Sequence, residues 1–170
     1  GVTTQLDMEA GAFPVSFFGQ DYRGGAYLNY GASVAHYAVR SKVMEGLNIE
    51  YIFGNNTDTF QMDGKSWTTK ATKDQIEAMR VMINQGIDGG GLGIGVLLDY
   101  LTSAVSADEL RMLFEVAGER QVPIHVHLRR GYTGDPAGLI DVINLAKETN
   151  APLFVVHITL NSLGRVGEWL

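Results

Sequence analysis

The chain has no cysteine, only four prolines and no long apolar run, and each shortage excludes a class of protein. Without cysteine there is neither a disulfide scaffold nor a thiolate metal site. No stretch approaches the ~18 consecutive apolar residues that span a bilayer, so we expect no membrane partner. Basic residues are fewer than acidic ones, 13 against 19. The resulting net charge of −6 argues against a nucleic-acid partner, because such proteins normally present a basic face.

What the chain does contain is typical of a folded protein that binds a small molecule. Of its 170 residues, 45% are hydrophobic, which excludes disorder, and 21 are glycine. The opening residues 1–4 include no initiator methionine and no basic or apolar leader. We therefore expect no targeting signal, a cytoplasmic location, and a chain that is a piece of something longer.

Three apolar runs with a regular spacing predict parallel strands. They cover residues 92–98, 122–128 and 152–158, so each begins 30 residues after the one before. Between the first two, Ser106 and Glu109 predict a capping box at the start of a helix. Between the last two, Asp135 predicts the N-cap of a second helix. A strand–helix unit repeated in this way predicts parallel pairing, since parallel strands need a crossover connection.

The first half is less regular but continues the same alternation. The predicted elements are strands at 1–9 and 27–36, a helix near 39–45, an irregular excursion at about 48–69, and a helix capped by Thr72 and ending at Gly86. We expect one domain over 1–170. Five strands with helices between them fit an open doubly wound sheet or part of a (β/α)8 barrel, which in full needs about 250 residues. The glycines of 89–95 precede a strand, so they do not match a dinucleotide-binding fingerprint.

The histidines are the candidates for chemistry. His127 and His157 each fall at the carboxyl end of a predicted strand, the edge where parallel α/β folds bind ligands. Adjacent parallel strands lie about 4.8 Å apart, so the two imidazoles can share one metal ion. His125 faces the same way one layer deeper and is expected to be a hydrogen-bonded neighbour of the site or a further ligand. For His36 a cap or surface role is as reasonable as ligation.

An oxygen ligand is sought in the first strand. Alternation places Gln5, Asp7 and Glu9 on one face, where burial would be costly unless these groups are paired or bind something. Glu9 is nearest the carboxyl end and is the best carboxylate candidate. The alternative is a solvated edge strand.

Four segments together resemble the amidohydrolase superfamily, specifically its D-aminoacylase (N-acyl-D-amino-acid deacylase) group. They are Gly-Val-Thr-Thr at 1–4, Gly-Leu-Gly-Ile-Gly at 91–95 leading to Tyr100, His-Leu-Arg at 127–129, and Val-His at 156–157. The opening and the Asn-Tyr-Gly-Ala-Ser-Val of 29–34 are most similar to members of the D-glutamate deacylase type. The resemblance runs along nearly the whole chain and depends on the order and spacing of its motifs.

The resemblance implies a fold, an activity and a set of site residues. The fold would be a partial TIM-like (β/α)8 metallohydrolase barrel, roughly strands 2 to 6 with their helices. The activity would be metal-dependent hydrolysis of an amide bond in N-acyl-D-amino acids, with one or two zinc ions. His127 and His157 would be zinc ligands, Tyr100 would line the substrate pocket, and Arg129 would bind a substrate carboxylate.

The chain also departs from that family's pattern. Ala10 stands where many members carry a cysteine ligand, so Glu9 would bridge instead, and Thr159 stands where some members carry a lysine. The family's His-x-His strand would precede Gly1, and its general-base aspartate would follow Leu170. We therefore expect the chain alone to be inactive, and its open sheet edges to allow self-association.

Two other functions stay open at this stage. In one, the chain is a non-catalytic binding fragment whose histidines are structural. In the other, it belongs to a cyclic-amide hydrolase of the same superfamily. Such hydrolases carry a carboxylated lysine on the strand that would correspond to 92–98, and no lysine occurs there.

Overall fold

A parallel five-stranded sheet organises the structure, a computed structural model that describes residues 1–19, 25–49, 63–99, 104–129 and 133–169. The strands are β1 (Thr4–Ala12), β2 (Asn29–Ala35), β3 (Ile94–Leu97), β4 (Ile124–His127) and β5 (Leu153–Val155). They pair in the order of the sequence, β1 to β5, and every pair is parallel. This confirms the predicted α/β fold. The unbroken order also separates it from a doubly wound sheet, in which the strand order reverses.

Helices fill the connections between the strands. They are α1 (His36–Glu45), α2 (Lys65–Thr68), α3 (Lys73–Asp88), α4 (Ala107–Arg120), α5 (Ala137–Thr149), α6 (Ile158–Asn161) and α7 (Val166–Trp169), with a short 3-10 turn at Val15–Phe17. Among the residues described, no helix combines the length and the apolar character that a membrane crossing requires.

The helix ends follow the capping chemistry of the sequence in most places. Thr72 and Gln75 form a reciprocal capping box at the start of α3, and Asn150 ends α5 in the left-handed conformation with a φ of 55°. Helix α3 continues to Asp88 rather than ending at Gly86, because Gly86 lies inside the helix where it packs closely on Val34. Helix α5 begins at Ala137, whose N–H still donates to the Asp135 carboxylate at 2.9 Å.

The main core lies between the sheet and its helices. Alternate strand residues on this outer face are fully buried: Val34, Ile94, Val96, Ile124 and Val126. Helix residues of α3 and α4 complete it, including Met79, Ile83, Leu113 and Phe114. The continuous burial of both strands and helices is what the apolar runs of the sequence require, and it leaves the opposite face of the sheet for polar residues.

A buried ion cluster joins α1 to α4 and corrects two predictions. Ser106 accepts from the Glu109 N–H at 3.2 Å, but the Glu109 side chain does not complete the capping box. Its carboxylate instead accepts two hydrogen bonds from Arg40 Nη1, at 2.6 and 2.5 Å, and lies 2.9 Å from His36 Nε2. His36 is therefore neither a surface group nor a metal ligand here: all three side chains are fully buried.

The predicted excursion at 48–69 is only partly visible. Residues 50–62 lie outside the described residues, whereas α2 occupies the end of the segment. Trp67 of this helix is buried and stacks on Tyr37, with ring centroids 6.4 Å apart. Arg40 donates to the carbonyls of Ser66 and Thr69. The return of the excursion is thus fixed to α1 by apolar and polar contacts.

Candidate metal centre

Three side chains from distant parts of the sequence converge at the carboxyl edge of the sheet. Glu9 Oε1 lies 2.9 Å from His127 Nδ1 and 3.1 Å from His157 Nε2, and the two nitrogens are 2.9 Å apart. The two imidazole rings meet edge to face, with an interplanar angle of 78°. Glu9 comes from β1, His127 ends β4, and His157 follows β5. We call these three residues the cluster.

Curvature of the sheet makes the cluster possible. In a flat sheet, β1 and β4 would lie about 14 Å apart, three strand spacings, whereas Glu9 and His127 are in contact. Gly95 of β3 permits the approach, because a Cβ there would lie 2.4 Å from the Glu9 carbonyl oxygen. The strands therefore curl around the polar face as in a barrel wall.

Glu9 reaches the cluster through an irregularity in β1. The pairing of β1 with β2 is regular as far as Asp7 and then shifts, so that five residues of β1 match two of β2. Gly11 within this bulge has a φ of 70°, and Asp7 Oδ1 accepts from the N–H groups of Ala10 and Gly11 at 3.2 and 3.1 Å. The shared face predicted for Gln5, Asp7 and Glu9 is thus interrupted, and Asp7 serves the backbone.

His127 is held at the bottom of the cluster and is almost completely buried. On the side of its ring away from Glu9, Nε2 lies 3.5 Å from Asp99 Oδ2. The sequence analysis did not single out Asp99. The rule that selected the histidines applies to it equally, since it directly follows the apolar run at 92–98 and so falls on the same edge of the sheet.

His157 lies just beyond β5 rather than on it, because the strand ends at Val155. Its backbone is left-handed, with φ 36° and ψ 45°, and it is the N-cap residue of α6. Non-glycine residues rarely adopt this conformation, which persists only where surrounding contacts maintain it. One such contact is made by Asn161, whose Oδ1 lies 3.2 Å from His157 Nδ1.

The electrostatics of the cluster favour a negatively charged Glu9. Its hydrogen bond with His127 lowers the pKa of the Glu9 carboxyl, burial raises it, and the contact with His157 lowers it again, so that the net pKa is below the ordinary value. Glu9 is therefore a carboxylate at neutral pH, the form in which it can act as a metal ligand.

The donor atoms fit a small transition-metal ion. Ligand atoms about 2.0–2.1 Å from a tetrahedral zinc ion lie roughly 3.3 Å from one another. The three edges of the cluster, 2.9, 2.9 and 3.1 Å, are close to that value. Two imidazoles and one carboxylate are also a donor set that catalytic zinc sites use. These residues can hold one ion with a coordination position left open.

Other residues predicted for the site lie elsewhere. His125 stacks on Phe154, with centroids 5.0 Å apart and planes 13° apart, and among the described residues it does not contact the cluster. Burial lowers the pKa of its imidazole. Tyr100 lies outside the described residues.

Arg129 turns away from the cluster towards the helices. Its Nη2 donates to the Val105 carbonyl at 2.6 Å. Burial lowers the pKa of its guanidinium, and the nearby carboxylates of Asp141 and Glu109 oppose that shift. This position between α4 and α5 does not support the predicted contact with a substrate carboxylate.

A cavity of about 780 Å³ opens beside the cluster. Glu9 borders it together with residues of β1, of the following connection and of β2, and Val156 closes its far side. Most of the remaining lining is apolar or aromatic: Leu6, Met8, Phe18, Tyr27 and Tyr30. The cavity is thus large enough for a small organic molecule, with the carboxylate of Glu9 at one margin.

Comparison with solved structures finds the same fold in D-aminoacylases. An N-acyl-D-glutamate deacylase from Bordetella bronchiseptica, solved with zinc and a phosphonate mimic of the tetrahedral intermediate, matches 99% of the chain with a TM-score of 0.67 and 17% identity. A D-aminoacylase described as defining a novel subset of amidohydrolases matches 91% with a TM-score of 0.63 and 17% identity. A further D-aminoacylase structure, from work on its binuclear metal centre, gives a TM-score of 0.62.

The matched region is only part of those proteins. The chain spans 34–39% of their lengths. No protein-family model and no curated protein sequence matches it. At 17% identity the likeness concerns the fold, and it agrees with the predicted partial barrel. The chain is therefore similar in fold, over nearly all of its own length, to one continuous part of the D-aminoacylases.

Proposed function

We propose that this chain supplies half of a zinc site for the hydrolysis of amide bonds, in a protein that acts on N-acyl-D-amino acids. The observation that carries the proposal is the convergence of Glu9, His127 and His157 within 3.1 Å of one another. The fold shared with D-aminoacylases supports the reaction class. N-acyl-D-glutamate is the proposed substrate, as an extension of the resemblance carried by residues 1–4 and 29–34.

The chain's own residues would bind the ion and orient the substrate. Glu9 would contribute a negative charge, and the two histidines neutral donors, so a divalent ion keeps a net positive charge in the site. A zinc ion there supplies Lewis acidity towards an acyl carbonyl. The apolar part of the cavity would receive the acyl group and exclude water from it.

The proton transfers of amide hydrolysis need a general base that we place outside this chain. Glu9 is already engaged with both histidines, and Asp99 lies beside the far nitrogen of His127. We therefore expect the zinc-loaded chain to hydrolyse N-acyl-D-glutamate no faster than zinc alone in the same buffer. Turnover well above that blank would show that a base within the chain is sufficient.

Bound metal tests the proposal directly. After exposure to zinc and dialysis, elemental analysis of the wild-type chain should give about one zinc ion per chain, the number expected for a single closed donor set. His157→Ala removes one donor and should lose the ion. His125→Ala is the matched control, since it removes an imidazole of the same sheet face that does not contact the cluster, and it should keep the ion. Equal zinc content in all three proteins would refute the assignment.

A second candidate function is association with another polypeptide. Within the described sheet, β1 and β5 each pair with one neighbour only, and Leu6 and Phe154 on these strands are 46% and 58% exposed. Unpaired strand edges with exposed apolar side chains favour pairing with a further chain, and we propose a second copy as the occupant.

Light scattering at tens of micromolar separates these states. We expect a mass above that of one chain, and a lower mass after Phe154→Lys, because a charge on an edge strand opposes strand pairing. A monomer across the whole concentration range would contradict self-association and would leave the zinc proposal unaffected.

A further inference from the structure

A hydrogen bond to Asn161 determines which nitrogen of His157 carries its proton. Asn161 is fully buried in α6, and its Nδ2 donates to the Val156 carbonyl at 3.3 Å. That bond fixes the amide orientation, so the atom facing His157 Nδ1 at 3.2 Å is the carbonyl oxygen Oδ1. An amide oxygen can only accept, and therefore Nδ1 bears the hydrogen. The lone pair of His157 is then on Nε2, the atom that points into the cluster.

Asp99 imposes the opposite arrangement on His127. Its carboxylate also only accepts, and its Oδ2 lies 3.5 Å from His127 Nε2. A hydrogen on Nε2 is attracted to that oxygen, whereas a lone pair there would be repelled by it. The lone pair of His127 is therefore on Nδ1, which again points into the cluster.

We propose that Asn161 and Asp99 are positioning residues that hold His157 and His127 in opposite tautomers, so that both imidazole lone pairs meet the Glu9 carboxylate. In this state three acceptor atoms lie within 3.1 Å of one another with no hydrogen between them. Such an arrangement is repulsive until a cation enters. Its consequence for metal affinity rests on the proposed function, whereas the tautomers themselves do not.

The two residues act from opposite sides of the cluster. Asn161 is four residues after His157 along α6, so it also maintains the left-handed backbone that places this imidazole. Asp99 approaches from the end of β3, next to β4. Neither side chain is needed to fill the metal coordination, since Glu9, His127 and His157 already provide three donors. Carboxylates and carbonyls that fix a ligating histidine in this way typically change metal affinity by about 10–100-fold.

Nitrogen-15 spectroscopy of the metal-free chain reads the tautomers directly. With the histidines labelled, at mildly alkaline pH, long-range proton–nitrogen correlations should show His157 protonated on Nδ1 and His127 on Nε2. In Asn161→Leu the His157 pattern should become mixed, and in Asp99→Ala the His127 pattern should do so. Asn161→Asp and Asp99→Asn keep an acceptor oxygen and should keep the wild-type pattern. Unchanged tautomers in both Asn161→Leu and Asp99→Ala would overturn the proposal.

Zinc competition titrations on the same proteins supply the second measurement. The dissociation constant should rise about 10–100-fold in Asn161→Leu and Asp99→Ala and recover in the two variants that keep an acceptor. Asp63→Ala removes an exposed carboxylate elsewhere and controls for net charge. Should buried Asn161→Leu fail to fold, Asp99→Ala decides the result, because Asp99 is partly exposed. Wild-type chain that shows the predicted tautomers but binds no zinc would refute the proposed function while leaving this inference intact.

Discussion

Zinc raises the melting temperature of the wild-type chain by roughly 5–10 °C and leaves that of His157→Ala unchanged. This result is expected because a ligand that binds only the folded state at 100 times its dissociation constant stabilises it by about 2.7 kcal/mol. In a domain of this length each kcal/mol moves the melting temperature by roughly 2–4 °C. The donors of the cluster come from β1, β4 and the residue that precedes α6, so they are brought together only by folding.

Two controls make the thermal shift specific to the cluster. His125→Ala should keep the full increase, since His125 stacks on Phe154 instead of contacting the cluster. Glu9→Gln should lose most of it, because an amide removes the negative charge that attracts the ion. An equal zinc-dependent increase in the wild type and in His157→Ala would place the bound zinc elsewhere on the chain.

The second large effect is expected from Glu109, far from the cluster. Its carboxylate is fully buried between Arg40 and His36. Removing one partner of a buried ion cluster typically costs 3–5 kcal/mol, since a charge then stays buried without compensation. Urea denaturation of Glu109→Leu should therefore show a free energy of unfolding lower by about that amount. Glu119→Ala, on the exposed side of the same helix, should change it by less than about 1 kcal/mol.

The same carboxylate makes stability depend on acid. Burial raises the pKa of Glu109, but His36 and Arg40 outweigh that effect, and the net pKa lies below the ordinary value of 4.5. The unfolded chain then binds this proton more readily than the folded one. The stabilisation is present above pH 4.5 and is lost as the pH falls through the lower, folded-state pKa. Glu109→Gln should show a shallower decline of stability below pH 4.5 than the wild type; identical slopes would remove Glu109 from the explanation.

The sequence predicted the fold well where local chemistry decides it. The spacing of 30 residues between apolar runs, and caps such as Thr72 and Asn150, depend on residues close in the chain, and the structure has these strands and helix ends. The strand-end rule brought His127 and His157 together with Glu9 for the same reason, since parallel strands end at one edge.

Predictions that depended on long-range packing were less complete. Glu109 has the spacing of a capping box, yet its side chain is drawn away by Arg40, a partner 69 positions earlier. The bulge after Asp7 changes which residues of β1 share a face, and no local pattern announces it. His36 is buried for a similar reason, because its partner lies on α4. Each of these depends on a charge or register that only the assembled layers define.

The position of His157 shows the limit within a single residue. Its place in the cluster followed from the spacing of the strands. Its left-handed backbone and its dependence on Asn161 did not, because they arise from the tight entry into α6. The cavity lining and the distant position of Arg129 were likewise not readable from the order of residues.

An anomalous-scattering map, collected at the zinc absorption edge from crystals of the zinc-loaded chain, tests the central claim most directly. The account predicts one strong peak about 2.0–2.1 Å from Glu9 Oε1, His127 Nδ1 and His157 Nε2. A map in which zinc binds other side chains, or one in which these three atoms form only hydrogen bonds while zinc is present in excess, would contradict it.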